Sequence, residues 1–186
     1  MNIIIHRGTH QIGGSAIEIS TASTRIILDF GNELSLDEKY IPINLDIDGV
    51  TKGLLDCDGI VISHYHMDHL GQLTSALPEI PLYMGELSKE VAMIATEHQD
   101  KDLYLRLLDA NTFRGGEAFT IGNIHIRPLV IDHSAVDSYM FVIESEGKRV
   151  LYTGDFRMHG VRGHVLEKLI RTYIGDVDVL ITEGTS

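Results

Sequence analysis

The sequence predicts a layered α/β fold with mixed sheets, and three observations carry that expectation. Short β-branched runs fill the N-terminal third, strand and helix patterns alternate through the middle, and a second group of strands closes on one more helix and a last strand. No stretch repeats at a fixed period and none has the composition of a linker, so the 186 residues are expected to form one domain, 1–186.

Each element follows from its local pattern. "NIIIHR", "SAIEIS" and "TRIILDF" are β-branched runs separated by Gly, Ser and Thr turns, and read as an antiparallel meander. Residues 31–57 are mixed and polar, with Pro42 and Gly49, which predicts a long connection with one helical turn near residues 51–55. "GIVIS" is a buried strand, "HLGQLTSALPE" a helix, "PLYMG" a strand, and "ELSKEVAMIATEHQ" a longer helix with apolar residues three and four apart. A further helical segment around residues 103–109 precedes the strands "EAFTIG", "IHIRPLVI", "SYMFVIES" and "KRVLYTGD". Between the last two, "ESEGKR" is a hairpin turn in which Gly147 can take a positive φ. "GHVLEKLIRTYIG" reads as a helix and "VDVLITEGTS" as the final strand.

Composition narrows the function. The longest apolar runs fall far short of the roughly 18 residues that cross a bilayer, and "MNIIIHRG" lacks the basic flank and long apolar core of a signal peptide. The single cysteine, Cys57, cannot form an internal disulfide, so a cytoplasmic protein with a packing role for Cys57 is expected. A formal charge of −12 argues against an extended basic surface for nucleic acid. Ten histidines are the more informative excess, because imidazole is the commonest metal ligand among side chains.

Those histidines cluster where chemistry is expected. In "ISHYHMDHLG", His64, His66, Asp68 and His69 follow a buried strand directly, at the carboxyl end where α/β proteins place ligands. His64 and His66, two apart on extended backbone, point to one side, while Asp68 and His69 on the following turn face a second point. This spacing suits two adjacent metals. Imidazole nitrogens with a hard carboxylate favour zinc, with manganese or iron where oxygen ligands increase. One loop cannot supply a dinuclear site, and further donors occur at later strand ends: His133 in "VIDHSAVDS" and Asp155 in "LYTGDF". Asp29 in "ILDFG" is placed either to hold a ligand histidine from behind or merely to form a turn before Gly31. Arg157 meets a phosphate or pairs with a carboxylate, with nothing in the sequence to choose. His6, His10, His98, His125 and His164 have no motif support and read as ordinary strand, loop or helix residues, while His159, close to Asp155 in "DFRMHG", is a surface-loop residue or a proton donor to the leaving oxygen.

Taken together, "LDFG", "SHYHMDHLG", "DHS" and "TGD" resemble the metallo-β-lactamase-fold hydrolases, in order and along essentially the whole chain. The resemblance implies a layered αββα fold in which His64, His66 and His133 hold one metal, Asp68 and His69 help hold the second, and Asp155 bridges the two. Asp68 and Asp155 would then also be catalytic, and Asp29 would support the site. The pattern HxHxDH is similar to the zinc-hydrolase branch, so two divalent ions are implied, zinc first and manganese second. "LITEGTS" resembles the first additional motif of the β-CASP nucleases, matching Glu183, as a further catalytic residue, and Thr185. "GTHQIGGSAIEI" is similar to the start of RNase J-type and polyadenylation-factor-type members. In that family an inserted domain follows, and the closing strands with a last ligating histidine come later, so this chain is expected to be the N-terminal portion, lacking the closing C-terminal elements. Its uncovered sheet edges are expected to seek a partner or a second copy.

The expected function is a metal-dependent phosphodiesterase acting on RNA or DNA through a hydroxide activated by two metals. A small-molecule hydrolase of thioesters, lactones or phosphoesters is the alternative, and an inactive fragment the third reading. Glu183 discriminates the first two: it should face the metal centre in a β-CASP nuclease and be an incidental strand end otherwise.

Overall fold

The computed structural model describes residues 1–35, 41 and 43–184; Pro42 and Thr185 lie outside them. β1 (Asn2–Arg7), β2 (Ala16–Ser20) and β3 (Arg25–Leu28) form the expected antiparallel meander. β4 (Gly59–Val61) then pairs parallel to β3. The segment expected as a helix over "HLGQLTSALPE" is instead one turn, α1 (Met67–Leu70), and a separate 3-10 turn at Leu73–Ser75. Helical pairing stops after Gly71 because the next N–H, of Gln72, donates to the Phe30 carbonyl (2.9 Å), while the Asp68 carbonyl it would have used accepts from Ser15 N–H (3.1 Å); Pro78 follows. Nor is there a helix near residues 51–55, where the backbone turns at Gly49 with φ 77°.

β5 (Leu82–Gly85) leads into α2 (Glu86–Thr96) and α3 (Lys101–Leu108), the latter capped by the Asp100 carboxylate on the Leu103 N–H. β6 (Asn111–Phe113), too short to show a period in the sequence, pairs parallel to β5 and completes a six-stranded sheet in the order β1-β2-β3-β4-β5-β6. The second sheet begins with β7 (Phe119–Ile121), β8 (Ile124–Val130), β9 (Tyr139–Ser145) and β10 (Lys148–Tyr152). Glu146 and Gly147, both at positive φ, make the two-residue β9–β10 turn. The segment read as a helix over "GHVLEKLIRTYIG" is irregular: a 3-10 turn at Gly163–Val165, α4 (Leu166–Leu169) and a π turn at Ile170–Ile174. β11 (Val179–Ile181) pairs parallel to β10, giving the order β11-β10-β9-β8-β7.

Alternation along the strands builds four layers. Ile26 and Leu28 face the second sheet, where they meet Phe141, Ile143, Val150 and Tyr152, while Ile27 faces the other way with Ile60, Ile62 and the α2–α3 residues Ala92, Leu103 and Leu107. On the second sheet Met140, Val142 and Leu151 turn outward onto Leu166 and Ile174. The result is helices, sheet, sheet, helices, as expected. The layering decides where the site lies. β3 and β4 are parallel neighbours, and β8 and β10, each antiparallel to β9, run in one common direction with β11. Their carboxyl ends therefore gather the loops carrying Asp29, His64, His133, Asp155 and Glu183, and the Tyr139 N–H on the Ser63 carbonyl (3.1 Å) ties the two sheets there.

Candidate metal centre

The turn carrying the histidine cluster is fixed by backbone bonds from two other loops. Ser15 N–H donates to the Asp68 carbonyl (3.1 Å), Phe30 N–H to His69 (2.7 Å) and Asn32 N–H to Met67 (2.9 Å). These approaches are so close that a Cβ on Gly31 would lie 1.6 Å from the Asp68 carbonyl oxygen. Gly13, at φ 72°, likewise backs onto the Asp68 side chain, which accounts for a glycine-rich turn after β1.

Behind the cluster, Asp29 is fully buried at φ 55°. Its Oδ1 accepts from Ser63 N–H (2.6 Å), and its Oδ2 accepts from Ser63 Oγ (2.8 Å), His69 Nδ1 (2.7 Å) and the Tyr152 hydroxyl (2.5 Å). Of the two readings of Asp29, the geometry supports the histidine-holding one. The network also sets tautomers. Ser63 Oγ gives its proton to Asp29 and so accepts from His64 Nδ1 (3.0 Å), leaving His64 Nε2 bare. His69, held through Nδ1, turns its Nε2 toward Asp155 Oδ1 (3.2 Å) and Asp68 Oδ2 (3.6 Å).

Two groups of donors result, the ligand atoms of each lying within 4.8 Å of one another: His64, His66 and His133, and His64, His69 and Asp155. His66 Nδ1 lies 3.1 Å from His64 Nε2 and 3.2 Å from His133 Nε2. A tetrahedral zinc at about 2.05 Å from each nitrogen separates its ligands by roughly 3.3 Å, so the first group fits one shared cation. Asp155 faces both groups, since its Oδ2 is 3.9 Å from His133 Nε2.

Protonation agrees with this donor chemistry. Burial, reinforced by repulsion among the rings, pushes His64 well below the ordinary imidazole range, and burial lowers His66 and His133. Neutral rings keep the lone pairs that ligation requires. Burial alone would lower His69 too, but Asp29 and Asp155 outweigh it and raise it to about 10. Asp155 is held low by His69 against the effect of its own burial. The negative field that binds a proton at His69 also favours a divalent cation.

The sequence-expected residues are thus brought together. Asp68, His66, His69, Asp155 and Glu183 line a cleft of about 440 Å³ between the sheets, walled by Tyr152, Ile181 and the turn after β1. Glu183 Oε1 accepts from the Phe156 N–H (2.6 Å), next to Asp155. Arg157 pairs with Asp132 (2.6 Å), and His6 with Glu18 (2.8 Å). Cys57 is buried against the Gly59 carbonyl and raised to about 11 by burial, consistent with packing. Sequence reasoning missed Ser63, Tyr152 and Asp132. The signal for Tyr152 was its place on the inward side of "KRVLYTGD", opposite the Asp29 strand.

Residues 41–186 match the family model described as a β-lactamase superfamily domain. The chain belongs to the β-lactamase superfamily. Its fold is that of the metallo-β-lactamases, and in this superfamily the partly buried His/Asp cluster is suited to divalent metal. Among its relatives is the RNase J-like protein of Methanocaldococcus jannaschii, 29% identical over 97% of this chain and 41% of the relative. The structure of a protein of unknown function from Enterococcus faecalis V583 superimposes with a TM-score of 0.84 at 21% identity, over 99% of this chain and 50% of that one. The metallo-β-lactamase fold protein YhfI from Bacillus subtilis gives 0.53 at 17% identity, over 81% and 61%. The chain spans less than half the length of the curated relatives it matches.

Proposed function

We propose that this chain forms the metal-holding part of a hydrolase that cleaves phosphodiesters in nucleic acid, RNA foremost. The observation that carries the reading is the convergence of His64, His66 and His133 with Asp68, His69 and Asp155, the last facing both donor groups. Nuclease relatives matched over nearly the whole chain support the choice of substrate class.

In this reading His64, His66 and His133 would hold one cation, Asp68 and His69 would help hold a second, and Asp155, which faces both donor groups, would serve each. Zinc suits the nitrogen-rich set, with manganese second. Two such ions, when bound, acidify water toward neutrality and neutralise charge on a phosphate. The chain's own groups do the rest. Asp29 keeps His69 in one tautomer and one orientation. Asp68, partly open to the cleft, is placed to accept a proton from the attacking water. Glu183 extends the carboxylate wall beside Asp155, and its position in the cleft favours the nuclease reading over an incidental strand end.

Incubating the purified chain with 5′-phosphorylated single-stranded RNA and zinc or manganese tests this. Cleavage that is abolished by chelator and by His66→Ala supports it. Equal cleavage by wild type and His66→Ala, or hydrolysis confined to thioesters and lactones, rejects it.

A further inference from the structure

The formal charge of −12 is unevenly placed. The chain carries 27 acids against 15 Lys and Arg, yet residues 157–175 carry Arg157, Arg162, Lys168 and Arg171 against the single acid Glu167, with His159 and His164 among them. This segment leaves the site directly after Asp155. Arg171 is occupied by Glu167 (2.9 Å) and Arg157 by Asp132, but Arg162 bonds Asp132 only through its backbone N–H. Its exposed guanidinium makes no hydrogen bond or ion pair among the described residues, and Lys168 is exposed as well.

The anchoring fixes where this charge sits. Asp132 precedes the candidate ligand His133, and it holds the 157–162 loop twice through its carboxylate and once more through its carbonyl, which accepts from Arg157 N–H (2.8 Å). Gly160 presses directly on that carboxylate. Arg157, Arg162 and His133 consequently border one depression of about 160 Å³, together with Asp132 and Asp137, whose carboxylates are taken up by hydrogen bonds within the protein, and exposed Val136 and Val161. The larger cleft reaches the centre from the other side, through His66. The His66–His133 contact of 3.2 Å separates the two openings.

We infer that residues 157–168 form the nucleic-acid-binding rim of the centre. A single strand crosses the His66–His133 pair with its backbone phosphates over Arg162 and Lys168, and its bases lie on the apolar side chains beside them. This rests on the phosphodiesterase reading above and adds to it a surface and a path. In a chain of net charge −12 this segment is a basic stretch beside the centre, so its charge both attracts the strand and aligns it with the centre.

The test follows binding of a fluorescent single-stranded RNA by anisotropy in the cold across a salt series, with hydrolysis of bis-p-nitrophenyl phosphate as a second readout. Arg162→Ala with Lys168→Ala is expected to weaken RNA binding roughly tenfold and to flatten the salt dependence by about 0.7 for each phosphate the variant no longer neutralises. Hydrolysis of the small diester should stay at the wild-type rate. Lys101→Ala, which removes a single positive charge on α3, should leave RNA binding unchanged. Binding that survives the double substitution, or that Lys101→Ala weakens as much, overturns the rim. So does a wild-type chain that hydrolyses the small diester but does not bind RNA, an outcome that leaves the phosphodiesterase reading standing. Conversely, Arg162-dependent RNA binding without any diester hydrolysis keeps the rim and removes the catalytic reading.

Discussion

The Tyr152 hydroxyl donates to Asp29 Oδ2 across 2.5 Å, linking the last residue of β10 in one sheet to the loop after β3 in the other. Both groups are buried, and burial together with Asp29 holds the phenol far above its ordinary range, so it remains a donor. The same oxygen receives His69. The floor of the candidate centre is therefore also a joint between the sheets.

Tyr152→Phe tests that joint. It removes one donor from a buried carboxylate that keeps three others, and should cost about 1.5–3 kcal/mol of stability. Urea denaturation read by circular dichroism measures the loss. No change in the midpoint would mean that the contact does not hold the sheets.

Asp29→Ala acts on the metal side of the same network. With its Nδ1 partner gone, His69 loses both its tautomer and its orientation, and metal affinity should fall about 10–100-fold. Competition against a chromophoric chelator gives the affinity, and an undiminished value would place His69 outside the centre.

Gly31→Ala separates close approach from conformational freedom. Its Cβ would overlap the Asp68 backbone, which cannot yield as a flexible side chain would, so severe destabilisation, above about 3 kcal/mol, is expected. Gly147→Ala, at φ 70° with open space around it, should cost only about 1–2 kcal/mol. Comparable midpoints for the two variants would contradict the packing described for the histidine turn.

A pH dependence follows from Glu18, which is buried on β2 and paired with Arg25 and His6, both at 2.8 Å. Burial would raise its carboxyl, but Arg25 and His6 outweigh it and hold it below the ordinary 4.5. A carboxyl lowered by folding stabilises the protein above 4.5, and that contribution is lost as pH falls through 4.5 toward the folded value. Stability should drop over this acid range in wild type and drop less in Glu18→Gln. Parallel curves from urea titrations at each pH would refute it.

Much of this was legible in the sequence because strand ends and ligand residues coincide. His64, His66, Asp68, His69, His133 and Asp155 each follow an apolar run, and a parallel or mixed sheet brings such ends to one edge. The four-layer packing follows from the same alternation, with Ile26 and Leu28 turned one way and Ile27 the other. What the sequence concealed depends on contacts between distant segments. The helix expected after His69 breaks because Gln72 N–H bonds the distant Phe30 carbonyl, and the short β6 is paired along the edge of β5. The role of Arg157 is decided by Asp132, 25 residues away in the chain, a pairing that no local pattern reveals. Net charge misleads in a similar way, because a sum over the chain hides the basic stretch that follows Asp155.

The central claim is that the histidine and aspartate groups are a divalent-metal centre, and metal content measures it most directly. After exposure to zinc and exhaustive dialysis, inductively coupled plasma mass spectrometry should find about two ions per wild-type chain, and fewer after His133→Ala or Asp155→Ala. A folded wild-type chain holding no metal, or variants that hold as much as wild type, would contradict the account.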